Sequence, residues 1–508
     1  MVAMVLSQVM GLVAKMLTSR AFGTGMESEA FFAANRFTEI IFNLVAGGAL
    51  GSAFIPTFTG LLAKEQRQRA WQLASAIANL VLLILTVVSI LSTIFAQEVV
   101  HYILAPGFGS ADPAKEALAV ELLRIQLPSS IIFGLSGLIM GILNAHQRFL
   151  LPALAPSMYQ VGWIFGILVL SPGMGIYGLA WGIVIGSSLH LVVQIPHLLK
   201  LPERKYTPSL GLSLPDVREV ARLMGPRLLG VAIVQLNFLV NTLLASYQPE
   251  GSVTALSLAF PLMIMPQAAI AQSIAIAALP TFSAQFARGE IKEMRHSLAA
   301  TLRGVLLLAI PASVGLVILR QPLVTLIYQG GEFTARSTEM VAWALLWYGV
   351  GLIGHSIVEI VSRAFYALHD TKTPVFIGIA AMSLNLGFSF LFTYLFRATG
   401  WMPHGGLALA NSLATFLEMI ALLVIMRKRL DGLEANRIWQ GASFAATGAI
   451  LMGIAVILWM NAANNLSTIW TVLGSITIAV MIYIGVLLMF RVSELNQAIQ
   501  YIKRKIQP

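Results

Sequence analysis

The chain contains no cysteine. Disulfides, thiolate nucleophiles and cysteine-ligated metal are thereby excluded. Nothing follows about compartment, because a membrane-embedded chain needs no disulfide staple. Charge is scarce too: Asp, Glu, Lys and Arg make up 11% of residues, against about 25% in soluble globular chains. Acidic residues are the scarcer sign, 22 against 32 Lys and Arg, for a formal net charge of +10. Apolar residues fill the remaining space, 57% of the chain. They come in runs of about 20 or longer, where a barrel strand needs only about 10. The chain therefore reads as all-α and integral to a membrane. No nucleophile–base pair and no ligand cluster gathers near one membrane face, so an enzyme, a metal and a bound cofactor are not expected. His355 and Glu359, four apart, are two ligands of mixed type and too few for a metal.

Hydropathy predicts fourteen membrane helices, from roughly 1–20 to roughly 467–490. The first stretch, Met1 to about Ser19, lacks a basic leader and a small-residue cleavage site and reads as a retained helix. Basic residues concentrate in alternate loops: Lys64, Arg67 and Arg69; Lys200, Arg204 and Lys205; Arg288, Lys292 and Arg295; Arg427, Lys428 and Arg429. By the positive-inside rule both termini are cytoplasmic. The +10 charge is thus a topology signal, suited to anionic headgroups and not to nucleic acid.

The same module is written twice. Pro56-Thr57-Phe58 returns as Pro280-Thr281-Phe282, Gly178-Leu179-Ala180 as Gly406-Leu407-Ala408, and Asn144-Ala145-His146-Gln147-Arg148 stands opposite Tyr366-Ala367-Leu368-His369-Asp370. The offset drifts only between about 222 and 228 residues. The expected organisation is an amino-terminal lobe (1–200), a cytoplasmic linker (201–215), a carboxyl-terminal lobe (216–427), an additional pair of helices (428–490) and a basic cytoplasmic tail (491–508). Two six-helix lobes of the same orientation are related by a pseudo-two-fold along the membrane normal. That arrangement belongs mostly to secondary transporters, which handle substrate in a cavity between the halves. The last two helices are either packing or the wall of a groove for a lipid tail.

A charge inside hydrocarbon costs about 3 kcal/mol on insertion scales, so those that persist usually face a cavity. Glu29 and Arg36 lie two turns apart on the second helix, and Arg36 to Glu39 is an i,i+3 pair. Lys15, Arg36 and Arg124 are the candidate cavity cations; Glu29, Glu39 and Glu359 are the candidate coupling acids. Cations of this kind suit a phosphate or pyrophosphate, whereas acids suit ion coupling or a cationic drug. Internal pairing, Glu121 with Arg124 or Arg36 with Glu39, is the alternative. Arg227 and Arg363, near cytoplasmic ends, can snorkel. Gly47, Gly48, Gly51 and Pro261 are candidate hinges, with close packing as the competing reading.

Further residues carry a family likeness. Ser7-Gln8-Val9-Met10-Gly11-Leu12, Ala21-Phe22-Gly23, Glu29-Ala30-Phe31-Phe32-Ala33-Ala34 and Gly48-Ala49-Leu50-Gly51-Ser52-Ala53-Phe54-Ile55-Pro56 resemble the opening of the MurJ (MviN) family. Arg148-Phe149 with Pro152-Ala153, Tyr328-Gln329-Gly330-Gly331-Glu332-Phe333 and Asp370-Thr371-Lys372-Thr373-Pro374 resemble its later motifs. The likeness runs from about Ser7 to Arg427. It implies a fourteen-helix flippase of the multidrug/oligosaccharidyl-lipid/polysaccharide (MOP) exporter superfamily in the bacterial cytoplasmic membrane. Such a flippase moves lipid II, the undecaprenyl-pyrophosphate-linked peptidoglycan precursor, outward for cell-wall biogenesis. It also implies alternating access driven by membrane potential or an ion gradient, no bound cofactor, membrane lipids as neighbours, and a monomer. Against the family pattern, Gln8, Ala14 and Phe42 stand where arginines are expected, Thr38 where a proline is expected, and Phe260-Pro261 where an Asp-Arg pair is expected. Lys15 lies beside one lost arginine, and Glu29 replaces the usual Asp. A flippase for another polyprenyl-linked glycan, a multidrug antiporter of the same fold and a non-transporting scaffold therefore remain as alternatives.

Overall fold

The computed structural model describes residues 2–44, 53–463, 465–492 and 494. Among them the regular structure is helical, apart from one isolated bridge between Gly330 and Phe333. Contacts divide the chain into two compact units, Met1–Thr254 with Gly330–Thr334, and Ala255–Gln329 with Ala335–Pro508.

The first unit is built from α1 (Val2–Phe22), α2 (Met26–Phe42), α3 (Ile55–Ala63), α4 (Arg67–Ile94), α5 (Pro113–Ala145), α6 (Leu150–Met174), α7 (Ile176–Leu199) and α8 (Pro215–Ser246). α9 (Ser252–Ala287) begins in it and continues into the second unit. That unit adds α10 (Ile291–Ile318), α11 (Arg320–Tyr328), α12 (Ala335–Ala367), α13 (Lys372–Ala398), α14 (His404–Arg429), α15 (Ala435–Ala462) and α16 (Thr468–Met489). Among the described residues 11 helices are long and apolar enough to cross a membrane, or 12 with α8, which bends by 45° between Pro215–Gly225 and Gly230–Ser246. The other two expected spans correspond to α1 and to α2 with α3. Both border residues outside the description, and they hold Lys15, Arg20, Glu27, Glu29, Arg36 and Glu39.

The repeat read from the sequence recurs in the backbone. Left-handed residues end the corresponding helices: Gly23 and Gly251, Glu65 and Gly289, Gln147 and His369, Gly175 and Gly400, Glu203 and Asp431. The hydrogen bonds recur with them. After α5, Gln147 N–H donates to the Asn144 carbonyl at 2.9 Å and Arg148 N–H to Leu143 at 2.9 Å. After α12, His369 donates to Tyr366 and Asp370 to Phe365, both at 3.0 Å. This is the Schellman closure, which satisfies carbonyls that a helix end leaves open. The cores match as well: Phe58 and Phe282, the aromatics of the twice-written Pro-Thr-Phe, are 0% and 1% exposed and anchor the apolar cluster of their own unit.

α6 and α7 form a tight hairpin joined by Gly175 (φ 58°). Their contact is backbone on backbone. A Cβ on Gly166 would lie 2.6 Å from the Gly182 Cα, and one on Gly182 would lie 2.9 Å from the Gly162 carbonyl oxygen. Only glycine permits that approach, which is how helices associate in lipid without a hydrophobic driving force.

α9 runs on as helix past Pro261, the candidate hinge, and past Pro266. The irregularity falls one turn later, in a π-helical turn at Ala268–Gln272. Proline withholds an N–H and crowds the preceding turn, and a widened turn is one way the ladder absorbs the mismatch.

Candidate functional site

The charged residues of α2 gather partners at two places. The first is on the exposed end of the α2 stripe. Glu39 accepts from Arg36 Nη1 at 2.8 Å and from Asn35 Nδ2 at 2.9 Å. The Arg36 guanidinium also lies over the Phe238 ring of α8, 5.5 Å from its centroid, a cation–π contact that fixes the guanidinium without neutralising it. Lys15, on α1, is half-buried and within electrostatic reach of both Glu39 and Arg36. Tyr159 of α6 also feels the Glu39 charge. Two cations thus share one carboxylate. Among the described residues Arg36 Nε and Asn35 Oδ1 are buried without a hydrogen-bond partner, and a buried donor in that state is a point at which an acceptor can be bound.

The second place is the start of α2. Glu29 is 1% exposed. One carboxylate oxygen accepts from the Lys115 ammonium of α5, and the other from the Val253 backbone N–H at 2.9 Å, in the first turn of α9. Lys115 in turn sits 4.3 Å from the centroid of the Phe108 ring. Both Glu29 oxygens are therefore engaged by protein donors, one of them at a helix N-terminus, where the macrodipole favours negative charge.

Arg124 is not part of either group. It is exposed, its Nε donates to the Thr93 carbonyl at 3.3 Å, and it lines a cleft of about 450 Å³ with His101, Glu116 and Glu121. Glu121 accepts from the Tyr177 hydroxyl. In the second unit Glu359 holds Arg363 at 3.0 Å along α12. His355 Nε2 is 3.2 Å from Asn411 Oδ1. Gly47, Gly48, Gly51 and the Arg227 side chain lie outside the described residues.

Aromatic packing occupies two positions where the resemblance implies charge, a cation at Phe42 and an acid at Phe260. Phe42 lies 4.6 Å from Phe133 and 6.4 Å from His190, ring centre to ring centre. Phe260 lies 5.2 Å from Tyr348, and Ala14 is fully buried. Sequence reasoning missed Lys115, Phe238 and Tyr159. For Lys115 a signal existed: Glu29 has no basic residue within four positions, so a buried acid there needed a distant partner.

The family model described as lipid II flippase MurJ matches residues 18–482. The lipid II flippase MurJ of Burkholderia cenocepacia is 32% identical over 429 residues, covering 84% of this chain and 82% of that protein. The probable lipid II flippase MurJ of Vibrio cholerae is 28% identical over 512 residues, covering 97% and 95%. Among solved structures, lipid II flippase MurJ in an inward closed conformation superposes with a TM-score of 0.82 at 24% identity, over 96% of this chain and 98% of that one. An inward-facing multidrug resistance MATE family transporter of the MOP superfamily gives 0.70 at 15% identity, over 84% and 96%.

Proposed function

The chain belongs to the lipid II flippase MurJ family, and on that premise we propose that it carries undecaprenyl-pyrophosphate-linked peptidoglycan precursor from the inner to the outer leaflet of the bacterial cytoplasmic membrane. Transport is by alternating access, without catalysis. The proposal includes fourteen spans, two six-helix lobes (1–200 and 216–427) joined by the 201–215 linker, the added pair 428–490, the tail 491–508, both termini in the cytoplasm, and a monomer. Membrane potential or an ion gradient supplies the drive in place of a bound cofactor.

The observation that carries this reading is the Lys15–Arg36–Glu39 group, where two cations share one carboxylate and Arg36 keeps a buried donor open. A pyrophosphate offers oxygens for such donors, and charge-assisted hydrogen bonds are about twice as strong as neutral ones. Lys15 and Arg36 are assigned to the pyrophosphate, and Arg124 is assigned as a further cation on its path. Glu39 is assigned to tuning the local charge, Glu29 and Glu359 to coupling, and Gly47, Gly48, Gly51 and Pro261 to hinge motion. The test is complementation of a bacterium depleted of its own lipid II flippase. Growth rescue supports lipid II as cargo; absence of rescue with the protein inserted and abundant rejects it. A second reading, a flippase for another polyprenyl-linked glycan, is favoured by one observation: Phe42 packs among aromatics where the family resemblance implies a cation. Transfer of a different lipid-linked glycan in proteoliposomes would select it.

A further inference from the structure

Each unit carries, at corresponding positions of the repeat, an apolar groove whose mouth is set with cations that are unpaired among the described residues. In the first unit the groove runs between α4 and α5 and has a volume of about 510 Å³. Ala78, Leu82 and Leu135 wall it, and Arg204, Lys205 and Tyr206 close its end. In the second unit it runs between α10, α12 and α14, with about 430 Å³. Leu302, Leu306 and Ile357 wall it, and Arg427 and Trp439 close its end. Both volumes fall in the range of about 300–1,000 Å³ usual for ligand pockets. The walls are the same positions of the repeat: Ala78 and Leu302, Leu82 and Leu306, Leu135 and Ile357 are separated by the offset that relates the sequence motifs.

The mouths are built, not incidental. Asn79 Nδ2 donates to the Ser209 carbonyl at 2.8 Å, and the Tyr206 hydroxyl donates to Asn79 Oδ1 at 2.6 Å. The Thr207 N–H donates to Ser75 Oγ at 3.1 Å, so the basic segment is tied along α4. In the second unit Arg295 Nε donates to the Leu430 carbonyl at 2.9 Å and ties the end of α14 to α10. Neighbouring arginines are neutralised: Arg67 by Glu203, Arg69 by Asp216, Arg429 by Asp370. The cations at the mouths, Arg204, Lys205 and Arg427, make no side-chain hydrogen bond or ion pair among the described residues. Tyr206 and Trp439 beside them are 66% and 76% exposed, and such aromatics belong to the level of lipid headgroups.

We propose that these two grooves are binding sites for anionic bilayer phospholipid, each seating an acyl chain between its helices and the headgroup phosphate on the cations at its mouth. The chemistry is complementary at both ends, hydrocarbon on apolar wall and phosphate on guanidinium or ammonium. Duplication separates this reading from a cargo-tail groove, because a transporter of one lipid-linked cargo needs one such groove, whereas a bilayer offers lipid to both units. The inference goes beyond the proposed transport and does not depend on which cargo is moved.

Native mass spectrometry of the full chain, released from detergent with matched-chain phosphatidylglycerol or phosphatidylcholine, tests it. Two phosphatidylglycerol adducts are expected to resist stripping, with weaker phosphatidylcholine binding. Arg204→Gln with Lys205→Gln should remove one adduct and Arg427→Gln the other, each neutralised cation weakening binding roughly fivefold. Ala78→Trp, which fills the first groove and leaves every charge in place, should also lose one adduct while the thermal melt shows the protein folded. Equal retention of the two lipids, a statistical ladder of adducts unmoved by the substitutions, or retention in Ala78→Trp would each overturn the proposal. Displacement of both adducts by equimolar undecaprenyl pyrophosphate would overturn it too, by making the grooves cargo-tail sites.

Discussion

Glu29 is buried with both oxygens engaged, so its partner Lys115 is the side chain whose loss is felt most directly. Removing one member of a buried pair leaves an uncompensated charge, at a cost of about 3–5 kcal/mol. Lys115→Met is therefore expected to lower thermal stability in detergent strongly, and Glu29→Gln in the same chain to restore part of the loss. A double variant as unstable as Lys115→Met alone would mean that the ammonium does not act through Glu29. Lys15 and Arg36 are different, being half-buried, and Arg36 Nε lacks a hydrogen-bond partner among the described residues. Arg36→Ala or Lys15→Ala is expected to weaken complementation by about 10-fold or more, from hydrogen bonds to charged groups worth about 1.5–3 kcal/mol, while the melt changes little. Full activity in the double variant would remove both from the site. Asp370, in the loop after α12, is held below the ordinary carboxyl value of 3.8 by the Thr373 N–H first, and by the Thr373 hydroxyl and Arg429 after it. Its folded value is depressed, so its stabilisation is present above the unfolded value and lost as pH falls through the folded one. Asp370→Asn should flatten the acid limb of the melting temperature against pH. At this scale the α2 stripe was legible, because helical periodicity is local. Lys115 was not, because it is 86 residues from its partner and no periodicity links them.

Helix ends obey local rules more closely than side-chain partners do. The Schellman closures after α3, α5 and α12 fall where the twice-written motifs fall, and the left-handed residue they require is Glu65, Gln147 and His369 in the first two and the last. A non-glycine residue in that region is strained by roughly 1–2 kcal/mol. Gln147 is exposed, so Gln147→Gly is expected to raise stability by about 0.5–1 kcal/mol and Gln147→Val to lower it, read from thermal melts of the purified protein. No gain with glycine would indicate that the strain is absent. The motif echo made these turns foreseeable, yet the course of α9 was not. Proline marks where an N–H is missing but not which neighbouring turn widens, and that choice depends on packing from other helices.

At the scale of the whole chain, long apolar runs and alternating basic loops gave most of the spans, since span length follows from bilayer thickness. The lost cationic positions were visible by resemblance. The replacement of one of them by the Phe42–Phe133–His190 contacts was not, because each partner lies on a helix distant in sequence. The α6–α7 hairpin bears on how such a chain is made. Its contact is glycine backbone on glycine backbone across a one-residue turn, so it needs no third helix to complete it and can close while later segments are still on the ribosome. Gly182→Leu sets a side chain against the Gly166 and Gly162 backbone, where nothing can move aside. It should reduce the yield of inserted protein far more than an equal substitution at Gly173, which meets nothing within 4 Å. The hairpin would then leave the translocon as one preassembled body, and the amino-terminal unit would be templated on it during synthesis.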